Sequence, residues 1–206
     1  MKQLLLSLVV GFVLSSPAFA ADKVWIDKAS ELYSVTVTHQ GKKVEIKRNQ
    51  NPKNLINAAY QPTGRGVIAP MNPFAPHAIE TIGELEMLQF LVAKEKDSNI
   101  LVIDSRTPDW VEKGTIPGSI NVPYTTLRGD AAGAMDFLET AGVTEDAMLH
   151  DFSKAKTLVM FCNGAWCGQS PAAIRTLLKF GYPASKIKYY RGGMQSWESL
   201  GLTVVK

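Results

Sequence analysis

Hydrophobic and polar residues alternate from Tyr33 to Arg48 in two short runs, which are separated by His39-Gln40-Gly41-Lys42. Strict alternation is typical of strands with one buried face, and a short connection that contains glycine commonly joins two strands of a hairpin. The residues that follow, as far as Pro76, are rich in proline, glycine and asparagine and have no clear periodicity. The pattern therefore predicts a small β-hairpin followed by an irregular connection.

From Ile79 onward the pattern changes to one of helices and buried strands. Apolar residues at helical spacing predict helices, and Thr81 and Glu84 form a possible capping box for the first of them. Continuous apolar runs predict strands that are buried on both faces of a parallel sheet. The predicted helices are TIGELEMLQFLVAKEK, GAMDFLETAGV, TEDAMLHDFS, SPAAIRTLLKFGY and a short one around Trp197, and the predicted strands are NILVIDSR, KTLVMF and KIKYY. This alternation predicts an α/β domain with a central parallel β-sheet flanked by helices.

The N-terminal segment has the composition of a secretory signal peptide. Lys2 precedes an apolar run from Leu4 to Leu14, and Ala18-Phe19-Ala20 has the small-x-small pattern of a cleavage site. The run is shorter than the ~20 residues that span a bilayer, so we expect cleavage, a periplasmic location and no membrane insertion afterwards. The chain then divides into a signal peptide (1–20), an N-terminal extension with the hairpin and linker (21–78) and an α/β domain (79–206).

Charge and motif content argue against several partners and cofactors. The 22 lysines and arginines barely exceed the 19 aspartates and glutamates, and they are scattered along the chain, so nucleic acid is not an expected partner. His39, His77 and His150 lie far apart and have no spacing typical of a metal site. Neither a phosphate-binding glycine loop nor a Ser-His-Asp signature is evident. We therefore expect no metal and no cofactor.

The two cysteines of the chain, Cys162 and Cys167, lie in one short loop. A disulfide that closes so small a ring would stabilise the fold little, which favours a catalytic or redox role. Cys162 directly follows the predicted strand KTLVMF, and ligands bind beyond the carboxyl ends of such strands. The loop leads into a helix, with Ser170 as the expected N-cap and Pro171 in the first turn. Because a helix N-terminus stabilises anions, we expect Cys162 to be largely thiolate at neutral pH.

These segments together resemble a rhodanese domain. The resemblance lies in a strand that ends in cysteine, a loop with glycine, a serine followed by Ala-Ala, and Gly-Gly-x-x-x-Trp near the C-terminus. Upstream, it includes Asp-x-Arg at a strand end and Gly-x-Ile-Pro-Gly-Ser-x-Asn-x-Pro. The matching segments are FCNGAWCGQSPAAIRTLLKFGY, YYRGGMQSW and VIDSRTPDWVEKGTIPGSINVPYTTL. As an ordered set, they cover the chain from about Ile79 to the C-terminus.

The resemblance implies a sulfurtransferase enzyme. Its nucleophile, Cys162, would attack the outer sulfur of thiosulfate or a persulfide, form a cysteine persulfide and pass this sulfur to a thiol acceptor, which can be a protein. Asp104 and Arg106 would brace the active-site loop, and Arg191 is the nearest candidate cation for the donor. The residues expected to bind the anion or persulfide are Asn163, Gly164, Ala165, Trp166, Gly168, Gln169 and Ser170.

The sequence departs from the family pattern in the loop. Counted back from Ser170, the loop is about two residues longer than usual, and Gln169 stands where relatives frequently have arginine. The loop contains no lysine or arginine, which argues against phosphatase activity and against efficient use of dianionic thiosulfate. Trp166 either packs over Cys162 or projects outward to meet a partner.

Cys167 is the second departure and leaves alternatives open. In this extended CxxxxC loop, it can resolve a persulfide or sulfenic acid on Cys162, form a protective disulfide with it, or remain unpaired. The leading hypothesis is persulfide formation on Cys162. One rival is a thiol–disulfide redox protein that cycles between the two cysteines without carrying sulfur. Another is a catalytically idle rhodanese fold used for binding, through the hairpin or Trp166.

Overall fold

The computed structural model describes residues 23–129, 131–146 and 149–206, so the predicted signal peptide, residues 1–20, lies outside the described residues.

The N-terminal extension contains the predicted hairpin. Strands β1 (Ser34–His39) and β2 (Lys42–Lys47) pair antiparallel, with Ser34 opposite Lys47. The turn between them uses Gln40 and Gly41, both with positive φ, which matches the twist of a two-residue hairpin turn.

A five-stranded parallel sheet forms the centre of the fold, as the pattern predicts. The sheet strands are β3 (Glu80–Ile82), β4 (Ile100–Asp104), β5 (Ile120–Asn121), β8 (Thr157–Phe161) and β9 (Ile187–Tyr190). Their order across the sheet is β3-β9-β8-β4-β5, and every neighbouring pair is parallel. The helices are α1 (Glu84–Ala93), α2 (Pro108–Val111), α3 (Tyr124–Gly129), α4 (Ala131–Thr140), α5 (Gln169–Lys179) and α6 (Gly193–Ser199). Two short 3-10 helices lie at Ala58–Tyr60 and Ala184–Lys186.

Two apolar clusters cover the faces of this sheet. Successive residues of β8 belong to opposite clusters. Leu158 and Met160 lie in the first cluster, and Val159 and Phe161 lie in the second. The first cluster includes residues of α3, α4 and α5, and the second includes residues of α1, α6 and the hairpin. Burial on both faces explains why the strands are continuously apolar in the sequence.

The hairpin is part of the second cluster. Val37 and Ile46 are fully buried there, together with residues of α1 and α6. Glu95, just after α1, accepts hydrogen bonds from the Thr38 backbone N–H (2.8 Å) and hydroxyl (2.6 Å), and pairs with Lys43. Burial of apolar side chains and hydrogen bonds to the Glu95 carboxylate therefore hold the extension against the α/β domain.

Two local predictions are wrong. The segment TEDAMLHDFS is not a helix, because β6 (Thr144–Asp146) and β7 (Leu149–Asp151) pair antiparallel. Its apolar residues, 147–149 and Phe152, are too few in one short segment to distinguish a helix from a hairpin. The capping box of α1 is shifted too, since Gly83 is the N-cap and its N–H donates to the Glu86 carboxylate at 3.0 Å. Thr81 lies instead in β3, opposite Tyr189.

Among the residues that the structure describes, no helix has both the length and the apolar character needed to cross a membrane.

Candidate functional site

The loop with the two cysteines connects β8 to α5 at the carboxyl edge of the sheet. Cys162 follows β8 directly, and its backbone oxygen accepts a hydrogen bond from Met194 N–H at 3.0 Å. The loop folds back so that Cys167 N–H donates to the Gly164 oxygen at 2.9 Å. Both cysteines are free thiols and both are buried, with exposed fractions of 1% and 5%. The loop therefore brings two reduced sulfurs together beneath the surface.

The two thiols differ in ionisation, in the opposite sense to the prediction from sequence. Burial, together with hydrogen bonding to Cys167 and its charge, raises the pKa of Cys162 well above its usual range. The hydrogen bond from Cys162 lowers the pKa of Cys167 to about 7, aided by the backbone N–H groups of Gln169 and Asn163. The prediction that Cys162 is the largely ionised thiol is therefore wrong, because burial outweighs the donors near Cys162, whereas the loop directs more donors to Cys167.

The start of α5 also differs from the prediction. Gly168, not Ser170, is the N-cap, and its φ of −90° is accessible to any residue. The Ser170 side chain is fully buried and makes no conventional hydrogen bond within the described residues. Its backbone N–H and hydroxyl nevertheless act to lower the pKa of Cys162, against the larger rise that burial causes. Ser170 therefore interacts with the Cys162 sulfur and does not cap the helix.

Gly193 allows the chain after β9 to touch the cysteine loop. It has a φ of 55°, and a Cβ at this position would overlap the Cys162 oxygen. The next N–H groups, of Met194 and Gln195, bind the oxygens of Cys162 and Asn163. A glycine is required here because both the positive φ and the close approach exclude a side chain.

Asp104 and Arg106 form a fully buried ion pair at the end of β4. The Arg106 guanidinium donates to both Asp104 carboxylate oxygens, the shortest bond being 2.6 Å, and to the Gly114 oxygen at 2.7 Å. Thr115 donates its hydroxyl to the same carboxylate. The pair supports neighbouring loops, and it reaches the cysteine loop through Tyr60, to which Arg106 donates at 2.9 Å.

The irregular part of the extension lies across the cysteine loop. We call residues 57–69 the strap. Ala69 N–H donates to the Ala165 oxygen at 2.8 Å, and a Cβ on Gly66 would overlap the Trp166 oxygen. Tyr60, only 2% exposed, donates to the Asn163 side-chain oxygen at 3.0 Å. The strap therefore contributes to the burial of the loop.

Two further predicted site residues contact or support the strap. Arg191 donates twice to the Ala69 oxygen, at 2.9 and 2.7 Å, so its guanidinium holds the strap. Trp166 donates to the Gln195 side chain at 2.7 Å, and the Arg65 guanidinium lies 4.9 Å from its ring centre. Trp166 is half-buried and belongs to the contact between loop and strap.

The remaining loop residues surround the sulfurs. Gln169 is positioned to accept a hydrogen bond from Cys167 Sγ at 3.8 Å, and the Asn163 amide lies 3.9 Å from the same sulfur. Gly164 packs against the Gln195 and Trp166 side chains, whereas Gly168 has open space at the position of a Cβ. Within the described part of the chain, no group of three or more His, Cys, Asp or Glu side chains could hold a metal ion.

Sequence reasoning missed the residues of the strap and Gln195. Tyr60 and Gly66 lie in a segment without periodicity, where a lone tyrosine is the weak signal of a buried contact. Gln195 lies two residues after the glycine pair, in a segment that the pattern predicted as a short helix. Their roles depend on tertiary contacts, which no local pattern specifies.

Comparison with known proteins places the chain in a family. The family model "Rhodanese-like domain" matches residues 88–200. The HTH-type transcriptional regulator Rv0324 of Mycobacterium tuberculosis is 26% identical over 114 residues, which are 55% of this chain and 41% of that protein. The chain therefore spans less than half the length of this curated relative.

Solved structures are similar as well. A rhodanese-related protein from Thermoplasma volcanium is 25% identical, with a TM-score of 0.38 over 61% of this chain and 97% of that chain. The single domain sulfurtransferase RDL2 of Saccharomyces cerevisiae is 19% identical, with a TM-score of 0.42 over 62% of this chain and 95% of that chain. Because residues 88–200 make up more than half of its 206 residues, the chain belongs to the rhodanese-like domain family.

Proposed function

We propose that this protein is a sulfurtransferase that forms a persulfide on Cys162 and passes the sulfur to a thiol acceptor. The observation that carries the proposal is the position of Cys162 at the end of β8, beside the N-terminus of α5, in a member of the rhodanese-like domain family. The Ser170 N–H and the positive end of the α5 dipole favour negative charge at this sulfur. The same groups would stabilise the persulfide anion.

The first step is a displacement at sulfur. The Cys162 thiolate attacks the outer sulfur of the donor, and the bond between that sulfur and the rest of the donor breaks. With thiosulfate the leaving group is sulfite, and with a thiol persulfide it is the thiolate. The product is the Cys162 persulfide anion. An acceptor thiolate then attacks the terminal sulfur, which becomes the acceptor persulfide and restores the Cys162 thiolate.

Cys167 supplies the negative charge for this chemistry. The thiol pair loses its first proton near neutral pH, and the charge lies mainly on Cys167, while the Cys162 thiol keeps its proton and donates to the Cys167 backbone oxygen at 3.5 Å. Transfer of that proton from Cys162 to Cys167 produces the attacking thiolate. Cys167 thus acts as the proton acceptor for Cys162.

The donor we favour is a thiol persulfide. The loop contains no lysine or arginine, and the nearby Arg65 and Arg191 donate hydrogen bonds to strap oxygens. A dianion such as thiosulfate would therefore meet little positive charge at the sulfurs. The acceptor is a thiol of a small molecule or a protein. From the sequence of residues 1–20, we also propose that the protein acts in the periplasm.

A second candidate function is thiol–disulfide exchange. The observation that favours it is the direct interaction between the two reduced thiols, one of which has a pKa of about 7. Attack of Cys167 on the inner sulfur of a Cys162 persulfide would form the disulfide and release hydrosulfide. In this cycle the thiol pair gives two electrons to the departing sulfur, and a dithiol or two thiols must reduce the disulfide before the next reaction.

Intact mass measurement distinguishes these functions. The reduced protein is incubated with a thiol persulfide, freed of donor and weighed, beside C162S and C167S. Sulfur transfer predicts a gain of one sulfur atom in the wild type and in C167S but not in C162S. Loss of two hydrogen atoms alone would support the exchange function, and no change in mass would support a protein that only binds.

A further inference from the structure

A continuous chain of buried side chains joins the extension to Cys167. Arg106 donates to the Tyr60 hydroxyl at 2.9 Å, Tyr60 donates to Asn163 Oδ1 at 3.0 Å, and Asn163 Nδ2 lies 3.9 Å from Cys167 Sγ. Asp104 holds the other edge of the guanidinium. Arg106, Tyr60 and Asn163 are each at most 2% exposed. Hydrogen bonds in such a dry environment are strong and directional.

The direction of every hydrogen bond in this chain follows from its first member. A guanidinium can only donate, so the Tyr60 oxygen accepts from Arg106 and its single proton is directed to Asn163. Only the amide oxygen of Asn163 can accept that proton, so the NH2 group must take the opposite side. That side faces Cys167 Sγ. Without the Tyr60 hydroxyl, the amide would lose the hydrogen-bond donor that selects this orientation.

We propose that Tyr60 is a positioning residue of the site: it fixes the Asn163 amide so that an N–H group faces Cys167 Sγ and stabilises the thiolate. Tyr60 lies outside the family match at 88–200, so the extension supplies part of the site that the family domain does not contain. The inference deepens the proposed function, since it rests on the thiol pair described there. It does not require that sulfur be transferred.

The surroundings of Cys167 contain few other groups that would affect its charge. The Cys162 thiol, at the end of β8, donates to the Cys167 backbone oxygen at 3.5 Å, and Gln169 lies at the start of α5. The Tyr189 hydroxyl comes from β9, and burial raises the pKa of Tyr189, so it remains neutral. The nearby cations are Arg175, which donates to the Pro73 oxygen, and Arg65 and Arg191, which donate to strap oxygens. The Asn163 amide is therefore the neutral side-chain donor that Tyr60 can control.

The test is the pKa of Cys167 in the full protein, measured from the pH dependence of alkylation and assigned to the residue by tandem mass spectrometry. Loss of one neutral hydrogen bond in Y60F is expected to raise this pKa by about 0.5–1 unit. The inflection of the alkylation rate against pH would then move to higher pH by the same amount, whatever the absolute rate. N163D, which offers only acceptors to the sulfur and adds a negative charge, should raise the pKa further.

Y182F is the matched control. Tyr182 is also 2% exposed, and its hydroxyl donates to the backbone oxygens of Ala141 and Lys156, which do not belong to the chain from Arg106 to Cys167. The pKa of Cys167 in Y182F should equal that in the wild type. Thermal unfolding of Y60F and Y182F measures how much stability each variant loses. The proposal is overturned if Y60F leaves the Cys167 pKa unchanged, or if Y182F shifts it equally. Because no sulfur donor is used, failure of sulfur transfer would not affect this result.

Discussion

At the scale of residues, the site depends on two sulfurs that share one negative charge. Cys162 is the proposed nucleophile, but burial raises its pKa, whereas Cys167 has more hydrogen-bond donors around it. A buried thiol that holds its proton is a poor nucleophile by itself. The neighbouring thiolate compensates for this, since it can take the proton at short range.

Replacement of Cys167 by serine tests this division of roles. In the wild type, reactivity of the pair appears as pH rises through about 7, because the first thiolate forms there. In C167S the remaining thiol is still buried, so we expect the inflection of the rate of persulfide formation to move to more alkaline pH. Stopped-flow measurement of this rate against pH gives the answer. An unchanged inflection near pH 7 would show that Cys162 ionises without Cys167.

At the scale of elements, the strap determines access to the sulfurs. It contacts the loop through backbone groups of Gly66 and Ala69 and through the Tyr60 side chain. Both cysteines lie beneath this contact, with little exposure. A donor must therefore reach them by local movement of the strap or the loop.

Gly66 and Gly64 offer a matched pair of substitutions in the strap. A Cβ on Gly66 would overlap the Trp166 oxygen at a φ of 64°, whereas a Cβ on Gly64 meets nothing within 4 Å. We expect G66A to weaken the closed strap by about 1–2 kcal/mol and to increase cysteine alkylation roughly 5- to 30-fold at fixed pH. G64A should react like the wild type. Equal rates in all three proteins would show that the strap does not limit access.

At the scale of the whole molecule, extension and family domain share one apolar cluster. Val37 and Ile46 of the hairpin are buried with α1 and α6, and the carboxylate of Glu95 joins the two parts. Although burial acts to raise it, hydrogen bonds from Lys43 and Thr38 lower the pKa of Glu95 to about 2. The boundary between residues 78 and 79 stays a prediction from sequence.

The Glu95 contact predicts a loss of stability in acid. The folded pKa lies below the ordinary value of 4.5, so the stabilisation is complete above pH 4.5 and is lost as pH falls towards 2. E95Q should remove it, with a Tm lower by about 2–4 °C at pH 7 for each kcal/mol lost. E45Q is the control, because Glu45 pairs with Lys47 on the exposed surface. Equal Tm values for both variants would contradict a special role for Glu95.

Sequence patterns predict the parts of this molecule that depend on periodicity. The hairpin, the apolar strands and the position of Cys162 at a strand end follow from local composition, because burial on one or two faces determines that composition. The β6–β7 hairpin was missed, since its short strands lack alternation long enough to distinguish from a helix. The role of Tyr60 depends on a contact with Asn163, 103 positions away, and the ionisation of the thiols depends on how the loop folds back on itself, and neither is encoded in a local pattern.

The most direct test of the central claim is a single-turnover transfer of sulfur. C167S, which lacks the second thiol needed for the internal disulfide, is loaded with a thiol persulfide at a pH above its own alkaline inflection, freed of donor and mixed with an acceptor thiol in slight excess, and both products are followed by mass. Our account predicts that Cys162 loses one sulfur atom while the acceptor gains it as a persulfide in equal amount. Failure of C167S to take up sulfur, or its release as hydrosulfide without an acceptor persulfide, would contradict the proposed sulfurtransferase.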